Sequence, residues 1–471
     1  MYEVALFIKI KMLMDKQKNR ELTANCWLGF LRNQYYKDPN KIAFINKEEK
    51  ISYGYFTKLV YKYHQYFESL KLKPGTNVMI VSKRHYRFFA VFGGCILSKL
   101  VFVPLEENIP QSKIDYYKEK LGNCYLFEDY FDMPFDENEY ELDEIIRFLV
   151  VSPDDIGQIM FTSGSSSEPK GVASTNRFTI SLSGPNEGIT SSTSLLITIP
   201  VNHTGGLYLT LTMLKNGGTV QYLDNAFDFN GFFDAFEKYG ANSLFASPSI
   251  VRTYMDLGEE DLKALNLKFC VVAGEYCPLE LKNRFKKAMG IPLVSFYGST
   301  ECGLIAVNID EQIDGCIGYA FDDKKIEIVN DEIVIYSKSL FKYYVGHEPM
   351  VQPFYTGDIG SIENGKIIIK GRKDFVINSG GLKINPIEID TVVEKNKLVK
   401  ESLLVGKKDK EFGEIAVLFY VGDISKKDLL HYLRDNLEAY KVPKEIHKIE
   451  KFARTNSGKK DYKYYKSLVN N

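Results

Sequence analysis

Long apolar runs are missing from this sequence. No stretch of its 471 residues reaches the roughly 18 uninterrupted apolar positions that a membrane-spanning helix requires. The start, Met1 to Met14, is apolar only in pieces, because Glu3, Lys9 and Lys11 interrupt it and Asp15-Lys16 follow without a small-residue cleavage pattern. It is a poor secretory signal and reads as a frayed leader. Net charge is missing as well: 60 Lys+Arg against 61 Asp+Glu leave −1, which argues against a basic nucleic-acid binder. Cysteine pairs are missing too. Cys26, Cys95, Cys124, Cys270, Cys277, Cys302 and Cys316 are odd in number and widely spaced, with no C-x-x-C among them, so neither a disulfide framework nor a zinc knuckle is expected. Tryptophan occurs once, against 31 Tyr and 31 Phe, a balance that suits a sheet-rich interior. The chain reads as a soluble protein of a reducing cytoplasm, long enough for two or three folding units at about 150 residues each.

What is present is a rhythm of short apolar runs and amphipathic stretches. Ile42-Ala43-Phe44-Ile45, Asn77 to Val81 and Leu100 to Leu105 are separated by mixed segments, and the pattern recurs from Leu195 to Phe245. It returns once more where Phe269 to Ala273 and Leu293 to Phe296 bracket a helix-like Leu279 to Met289. Repeated strand–helix–strand units predict largely parallel sheets with covering helices. After about residue 315 the texture changes to alternating strands, Ile326 to Val329, Glu332 to Ile335 and Lys366 to Ile369, with Asn330-Asp331 and Asn364-Gly365 as turns. These predict antiparallel hairpins. Beyond Arg372 comes a compact α+β stretch whose helix, Lys426 to Leu437, is capped by Ser425 and lines up Leu429, Leu430, Leu433 and Leu437. The expected fold is α/β: a large multi-sheet N-terminal domain with helix-covered sheets and a β-barrel-like subdomain, followed by a small α+β C-terminal domain of about one hundred residues.

The chemistry-bearing segment is Phe161-Thr162-Ser163-Gly164-Ser165-Ser166-Ser167-Glu168-Pro169-Lys170-Gly171, which follows the apolar Ile159-Met160. A strand running into such a loop suits phosphate: glycine lets backbone N–H groups approach the oxygens, hydroxyls donate, and lysine supplies a compact charge. The same composition also suits a flexible connection. A Walker A loop is excluded, since Lys170-Gly171 reverses the required order and no hydroxyl follows the lysine.

Thr162 to Gly171 resembles the phosphate-loop signature of the adenylate-forming superfamily, which comprises acyl-CoA synthetases, luciferases and the adenylation domains of nonribosomal peptide synthetases. Further segments follow in that family's order: Tyr297-Gly298-Ser299-Thr300-Glu301; Tyr355-Thr356-Gly357-Asp358; Gly371-Arg372-Lys373-Asp374 through Gly380-Gly381-Leu382 to Ile389; and Arg454-Thr455-Asn456-Ser457-Gly458-Lys459. The motifs span about 300 residues, and weaker similarity, as at Val103-Pro104-Leu105, covers nearly all of the chain after residue 25. The resemblance implies a reaction in which a carboxylate attacks the α-phosphate of ATP, giving an acyl-adenylate and pyrophosphate, after which a thiol displaces AMP. Two anions must meet, so catalysis becomes a matter of charge neutralisation and in-line positioning.

Carried over residue by residue, the resemblance places Thr162, Ser163, Gly164, Ser165, Ser166 and Lys170 on the β- and γ-phosphates and Thr300 near the α-phosphate. It places magnesium on Glu301, Tyr297 with Gly298 and Ser299 against the adenine, and Asp358 on the ribose hydroxyls with Arg372 close by. Lys459 becomes the catalytic lysine that bridges carboxylate and α-phosphate. Asp374 becomes the hinge, which implies a boundary between residues 1–373 and 374–471 and a mobile small domain, and Gly380-Gly381 the loop that meets the thiol-bearing arm after that domain has turned. By residue type alone Asp358 reads as a turn residue and Lys459 as a solvated tail lysine; only the joint order of the motifs reverses that in favour of the catalytic reading. Two positions depart from the family pattern: Ser167 stands where glycine is usual and Ala453 where proline is. Ser174-Thr175-Asn176 also lacks the histidine often found after the loop.

For the acid, Val201-Asn202-His203-Thr204-Gly205-Gly206-Leu207 contains no carboxylate, and a substrate ammonium buried there would be left unpaired. An α-amino acid is therefore disfavoured. His203 resembles the acyl-pocket histidine of acyl- and aryl-CoA synthetases, although a hydrogen-bonded core histidine fits the same residue; Ala273 with Gly274-Glu275 forms another wall of the acyl and adenine site. The expected activity is that of an acid–thiol ligase using ATP, Mg2+ and coenzyme A. Loading of a carrier protein's phosphopantetheine is the near alternative. A fold-retaining binding protein is disfavoured by Lys459, Glu301 and Asp358 together, and a P-loop phosphotransferase by the order of the loop.

Overall fold

The computed structural model describes residues 26–140, 151–162, 169–181, 189–223, 225–455 and 459–470. The expected leader, Ser163 to Ser167 of the hydroxyl-rich loop, and Asn456 to Gly458 lie outside the described residues.

The strand–helix rhythm builds two sheets. In the first, Thr219–Tyr222, Ser194–Ile197, Ser243–Ala246, Phe269–Ala273 and Leu293–Ser299 run parallel in that order. In the second, Cys124–Leu126, Asn77–Val81, Val101–Leu105 and Ile156–Thr162 are parallel and Lys170–Thr175 turns back antiparallel. Most residues of the central strands, such as Val78 to Ile80, Val101 to Leu105 and Leu195 to Ile197, are apolar and buried, as in sheets covered by helices. The aromatic surplus is spent between these sheets. Phe44, Phe56, Tyr86, Phe89 and Tyr222 pack ring to ring, with the planes of Phe89 and Tyr222 nearly parallel and their centroids 6.1 Å apart. Tyrosine serves there because its hydroxyl finds a backbone acceptor: Tyr53 donates to the carbonyl of Gly218 at 2.7 Å and Tyr63 to that of Tyr130 at 2.6 Å. Each such ring, fully buried, stabilises the fold by about 1.5–3 kcal/mol.

The predicted hairpins form. Lys325–Val329 pairs with Glu332–Tyr336 across Asn330 and Asp331 at φ 50° and 66°, and Phe354–Glu363 pairs with Lys366–Arg372 across Asn364 and Gly365 at φ 52° and 78°. Such left-handed pairs match strand twist, and Asn, Asp and Gly tolerate them. Through Gly303–Asn308 and Cys316–Ala320 the antiparallel strands also join the first sheet, so that among the described residues one path of 13 strands carries the residues after 300 to the edge of the parallel strands. Alternation reveals strands and turns but not which open edge they join.

The last strand of that path ends at Arg372, and a separate sheet begins at Ile377–Ser379. Its core is Ile377, Ile384, Ile389, Leu404, Leu418, Leu429 and Leu433. Ser425 caps the helix Lys426–Asn436 by accepting from Asp428 N at 3.1 Å; Leu429 and Leu433 are fully buried, Leu430 and Leu437 partly so. Leu437 itself is extended at φ −132° and closes the helix rather than belonging to it. Among the described residues no helix is long and apolar enough to cross a membrane.

Candidate active site

A cleft of about 2700 Å3 lies where the two domains meet. Thr162, Lys170, His203, Ala273, Gly274, Glu275, Tyr297, Gly298, Ser299, Thr300, Glu301, Asp358, Arg372, Asp374 and Lys459 all line it. Gly380 and Gly381 do not; they form the turn between Ile377–Ser379 and Leu382–Ile384. Ser163, Gly164, Ser165 and Ser166 lie outside the described residues, so the flanks Thr162 and Lys170 alone mark that loop.

Tyr297, Asp358 and Arg372 converge from three strands. The Tyr297 hydroxyl donates to Asp358 Oδ2, and Arg372 Nη1 lies 3.3 Å from Oδ1. Asp358 and Arg372 are direct partners in the register of their hairpin. Burial pushes the Asp358 carboxyl up while Arg372 and Tyr297 pull it back down; burial, followed by the Asp358 charge, drives the Tyr297 phenol well above its ordinary value. The turn into Asp358 is fixed by Gly357 N donating to Glu332 Oε1 at 2.8 Å and Asp358 N to Thr356 Oγ1 at 3.0 Å. A buried carboxylate already holding a phenol and a guanidinium is a preformed acceptor for hydroxyl groups.

Thr300 and Glu301 sit in the turn after Leu293–Ser299. This turn needs Gly298, because a Cβ there would lie 2.3 Å from the carbonyl oxygen of Gly303. Thr204 Oγ1 donates to Thr300 Oγ1 at 3.1 Å, and Tyr344 donates to Glu301 Oε1 at 3.0 Å. The Tyr344 ring also stands 5.3 Å from the Lys170 ammonium, so one aromatic residue orders both a carboxylate and a cation at this end of the cleft.

Lys459 enters from the small domain. Its loop is closed by Thr455 N donating to the Lys459 carbonyl at 2.8 Å and by a bridge between Arg454 and Lys460. The chain at Gly274 runs at φ +89°, and a Cβ there would lie 3.2 Å from Lys459 Cε and 3.3 Å from Nζ. The ammonium thus rests against the bare backbone at Gly274. Burial lowers its pKa and the nearby Glu275 carboxylate partly restores it. His203 across the cleft is pushed down to about 4, first by burial and then by the Lys459 charge, so at neutral pH it is an uncharged imidazole. Glu275 is anchored by Ser249, whose N and Oγ donate to Oε2 at 3.2 and 2.5 Å, while its Oε1 is buried with no hydrogen-bond partner among the described residues.

Sequence reasoning missed Thr204, Ser249 and Tyr344. Thr204 directly follows His203 and was within reach. Ser249 and Tyr344 lie on a helix and a two-residue strand with no local pattern to single them out.

The arrangement gathers Thr300, Glu301 and Lys170 at one end, a carboxylate held by a phenol and a guanidinium along one wall, and a lysine across the cleft from a half-buried histidine. Residues 31–344 match the AMP-binding enzyme profile and residues 388–459 that of the AMP-binding enzyme C-terminal domain. The chain belongs to the AMP-binding enzyme family. Among relatives of this AMP-binding enzyme, a 2-succinylbenzoate–CoA ligase of Lactococcus lactis is 30% identical over 56% of this chain and 60% of its own length. Another of that name, from Bacillus cytotoxicus, is 25% identical over 92% of this chain and 96% of its own. In fold, the family member is similar to ATP-bound MatB from Rhodopseudomonas palustris, with a TM-score of 0.81 and 19% identity over 93% and 98% of the two chains. It is likewise similar to o-succinylbenzoate CoA synthetase from Bacillus subtilis in complex with its acyl-adenylate, with a TM-score of 0.78 and 21% identity over 93% and 97%. These structural likenesses establish the α/β multi-sheet architecture with its smaller C-terminal domain.

Proposed function

We propose that this enzyme activates a carboxylic acid with ATP and passes the acyl group to the thiol of coenzyme A, releasing AMP. The observation that carries the reading is Lys459, brought by the small domain against Gly274 and opposite the neutral His203. In the first half-reaction a carboxylate oxygen attacks the α-phosphorus and pyrophosphate leaves. Lys459 lies between the anions and offsets the charge that gathers on the α-phosphate oxygens. Its lowered pKa arises from the same desolvation that strengthens its attraction for them. Asp358 accepts from the ribose hydroxyls, held in place by Tyr297 and Arg372. Lys170 and Thr162 take the outer phosphates.

Among the described residues no group of three acidic, Cys or His side chains could hold a metal. Magnesium is held by one or two carboxylates plus substrate phosphates rather than by an all-protein cage. Glu301, fixed by Tyr344, would hold it, and the ion would supply further charge neutralisation at the phosphates. His203, Ala273 and Gly298 bound the acid. The lack of a carboxylate between Val201 and Leu207 and the names of the sequence relatives favour an acyl or aryl acid over an α-amino acid. The large domain, residues 1–373, holds the substrates; the small domain, residues 374–471, turning about Asp374, brings Gly380-Gly381 to the thiol arm. The enzyme works in the cytoplasm, where ATP and coenzyme A are found.

The test is carboxylate-dependent exchange of labelled pyrophosphate into ATP across fatty, aryl (2-succinylbenzoate included) and amino acids. Exchange with an acyl or aryl acid is expected, and Lys459→Ala should lower it by about 10²–10³-fold, the scale for losing one transition-state charge partner. Absence of exchange with every acid would overturn the reading, and full exchange in Lys459→Ala would remove that lysine from its role. Coenzyme A is expected to outcompete a phosphopantetheinylated carrier protein as acceptor; the reverse ranking would reassign the second half-reaction.

A further inference from the structure

The loop that carries Lys459 is joined to the large domain by ions that take no part in the chemistry above. Arg252 sits on the helix Pro248–Leu257, which Ser247 caps by accepting from Ile250 N at 3.3 Å, with Pro248 in the first turn. Its guanidinium crosses to the small domain. Nη1 donates to the Lys400 carbonyl at 2.8 Å, and Nη2 lies 3.5 Å from Glu394 Oε2. Glu394 ends the helix Pro386–Glu394, which starts in the same way: Asn385 caps it, accepting from Ile387 N at 3.1 Å, and a proline follows. Cap and proline fix the first turn of both helices, so the two charges meet from rigid supports.

Glu394 uses its second oxygen inward. Oε1 accepts from Ser402 N at 3.2 Å and faces Lys460 Nζ at 3.4 Å; Lys460 also donates to the Ser402 carbonyl. Asp390, one turn earlier, accepts from Ser402 Oγ at 2.8 Å and Leu404 N at 3.3 Å. Lys460 is the residue after Lys459. At the other foot of the same loop, Arg454 Nη2 lies 2.5 Å from Glu401 Oε1. The side chains of Arg252, Glu394 and Lys460 are only 19%, 15% and 24% exposed, so their attraction is screened far less than that of a surface pair. Within the small domain Lys460 and Ser402 hold Oε1 of Glu394, and Oε2 is left for Arg252. The contact of Arg252 thus spans the two domains and acts on where the small domain sits.

We infer that Arg252 is a positioning residue for adenylation: through Glu394 and Lys460 it clasps the small domain in the pose that presents Lys459 to the cleft. The inference rests on the activity proposed above. It implies that the clasp favours the first half-reaction and opens before the second.

The test separates the two half-reactions. In Arg252→Gln, pyrophosphate exchange should fall about tenfold to a hundredfold in kcat, the range for losing a charge-assisted link that biases a two-state equilibrium. KM for ATP and acid should change less than about threefold, and thioester formation from chemically prepared acyl-adenylate and coenzyme A should hold steady or rise. Arg252→Lys should recover part of the exchange, and Arg252→Glu combined with Glu394→Arg should exceed either single variant. Equal losses in both half-reactions, or exchange unchanged in Arg252→Gln, would overturn the clasp. Nitroxides attached through a ketone-bearing residue at positions 257 and 398, which are 60% and 53% exposed, read the pose without activity. Their distance distribution should broaden in Arg252→Gln, and an unchanged distribution counts against the clasp. A broadened distribution in a protein whose wild type exchanges nothing would instead retain the clasp and refute the proposed activity.

Discussion

Gly274→Ala isolates the contact between the small domain and the catalytic wall. The substitution has two separable effects. At φ +89° an alanine is strained by about 1–2 kcal/mol, which lowers stability without regard to chemistry. Its Cβ would also lie 3.2 and 3.3 Å from the end of the Lys459 side chain, closer than ordinary contact, so the flexible ammonium must give way by a few tenths of an ångström or more. Misplacement by 1 Å at a reacting centre costs on the order of a hundredfold, so pyrophosphate exchange should fall by roughly tenfold to a hundredfold. Thioester formation from prepared acyl-adenylate, which does not use Lys459, should change by less than about threefold. Gly290→Ala supplies the control. It has φ +72° with no atom within 4 Å of the added Cβ, so it should show a similar loss of stability in denaturant titration while exchange stays at the wild-type rate. If Gly274→Ala and Gly290→Ala exchange equally well, Lys459 does not rest where the structure puts it.

Two further predictions concern the nucleotide wall and the acid pocket. Asp358→Asn removes the carboxylate that Tyr297 and Arg372 address; losing one charge-assisted interaction of about 1.5–3 kcal/mol should raise KM for ATP roughly 10–150-fold in exchange assays, and an unchanged KM would remove Asp358 from the ribose site. His203 gives a pH dependence. Its pKa falls from the ordinary 6.5 to about 4 on folding, so the unfolded chain binds the extra proton between those values. The stabilisation is complete above pH 6.5 and is lost as pH falls toward 4, by up to about 3 kcal/mol. Urea midpoints measured from pH 4 to 7 should rise with pH, and His203→Gln should flatten that part of the curve; an equal slope in the variant would show that His203 is not the titrating group.

The lining of the cleft was legible where the chain brings several of its residues together in one turn. Thr300-Glu301, Gly357-Asp358 and Arg372-Lys373-Asp374 are contiguous and all line it, so their order along the chain marks a candidate site before any contact is known. The hairpins were legible because Asn330-Asp331 and Asn364-Gly365 are residues that accept left-handed backbone. What stayed hidden rests on single polar residues meeting across long separations. Arg252 and Glu394 are 142 positions apart, and nothing near either names its partner; a helix period shows which face is polar but not what the polar face meets. The joining of the antiparallel strands to the parallel sheet was hidden for a related reason, since edge pairing is decided by backbone groups that every residue possesses.

The hairpin that sets Asp358 opposite Arg372 has a consequence for how such a chain can vary over generations. The side chains of a strand alternate between faces with a period of two. Residues along Phe354–Glu363 and Lys366–Arg372 can therefore be exchanged one for another, whereas a residue added inside either strand must be taken up by a bulge, as Lys370 already is where the register passes from Ile359↔Gly371 to Gly360↔Ile369. The pairing of Asp358 with Arg372 is thus sensitive to length within the strands and far less so at the turn. Insertions carried by descendants of this sequence should accumulate at Asn364-Gly365 and be scarce within the paired strands, and those that occur there should come with a further bulge.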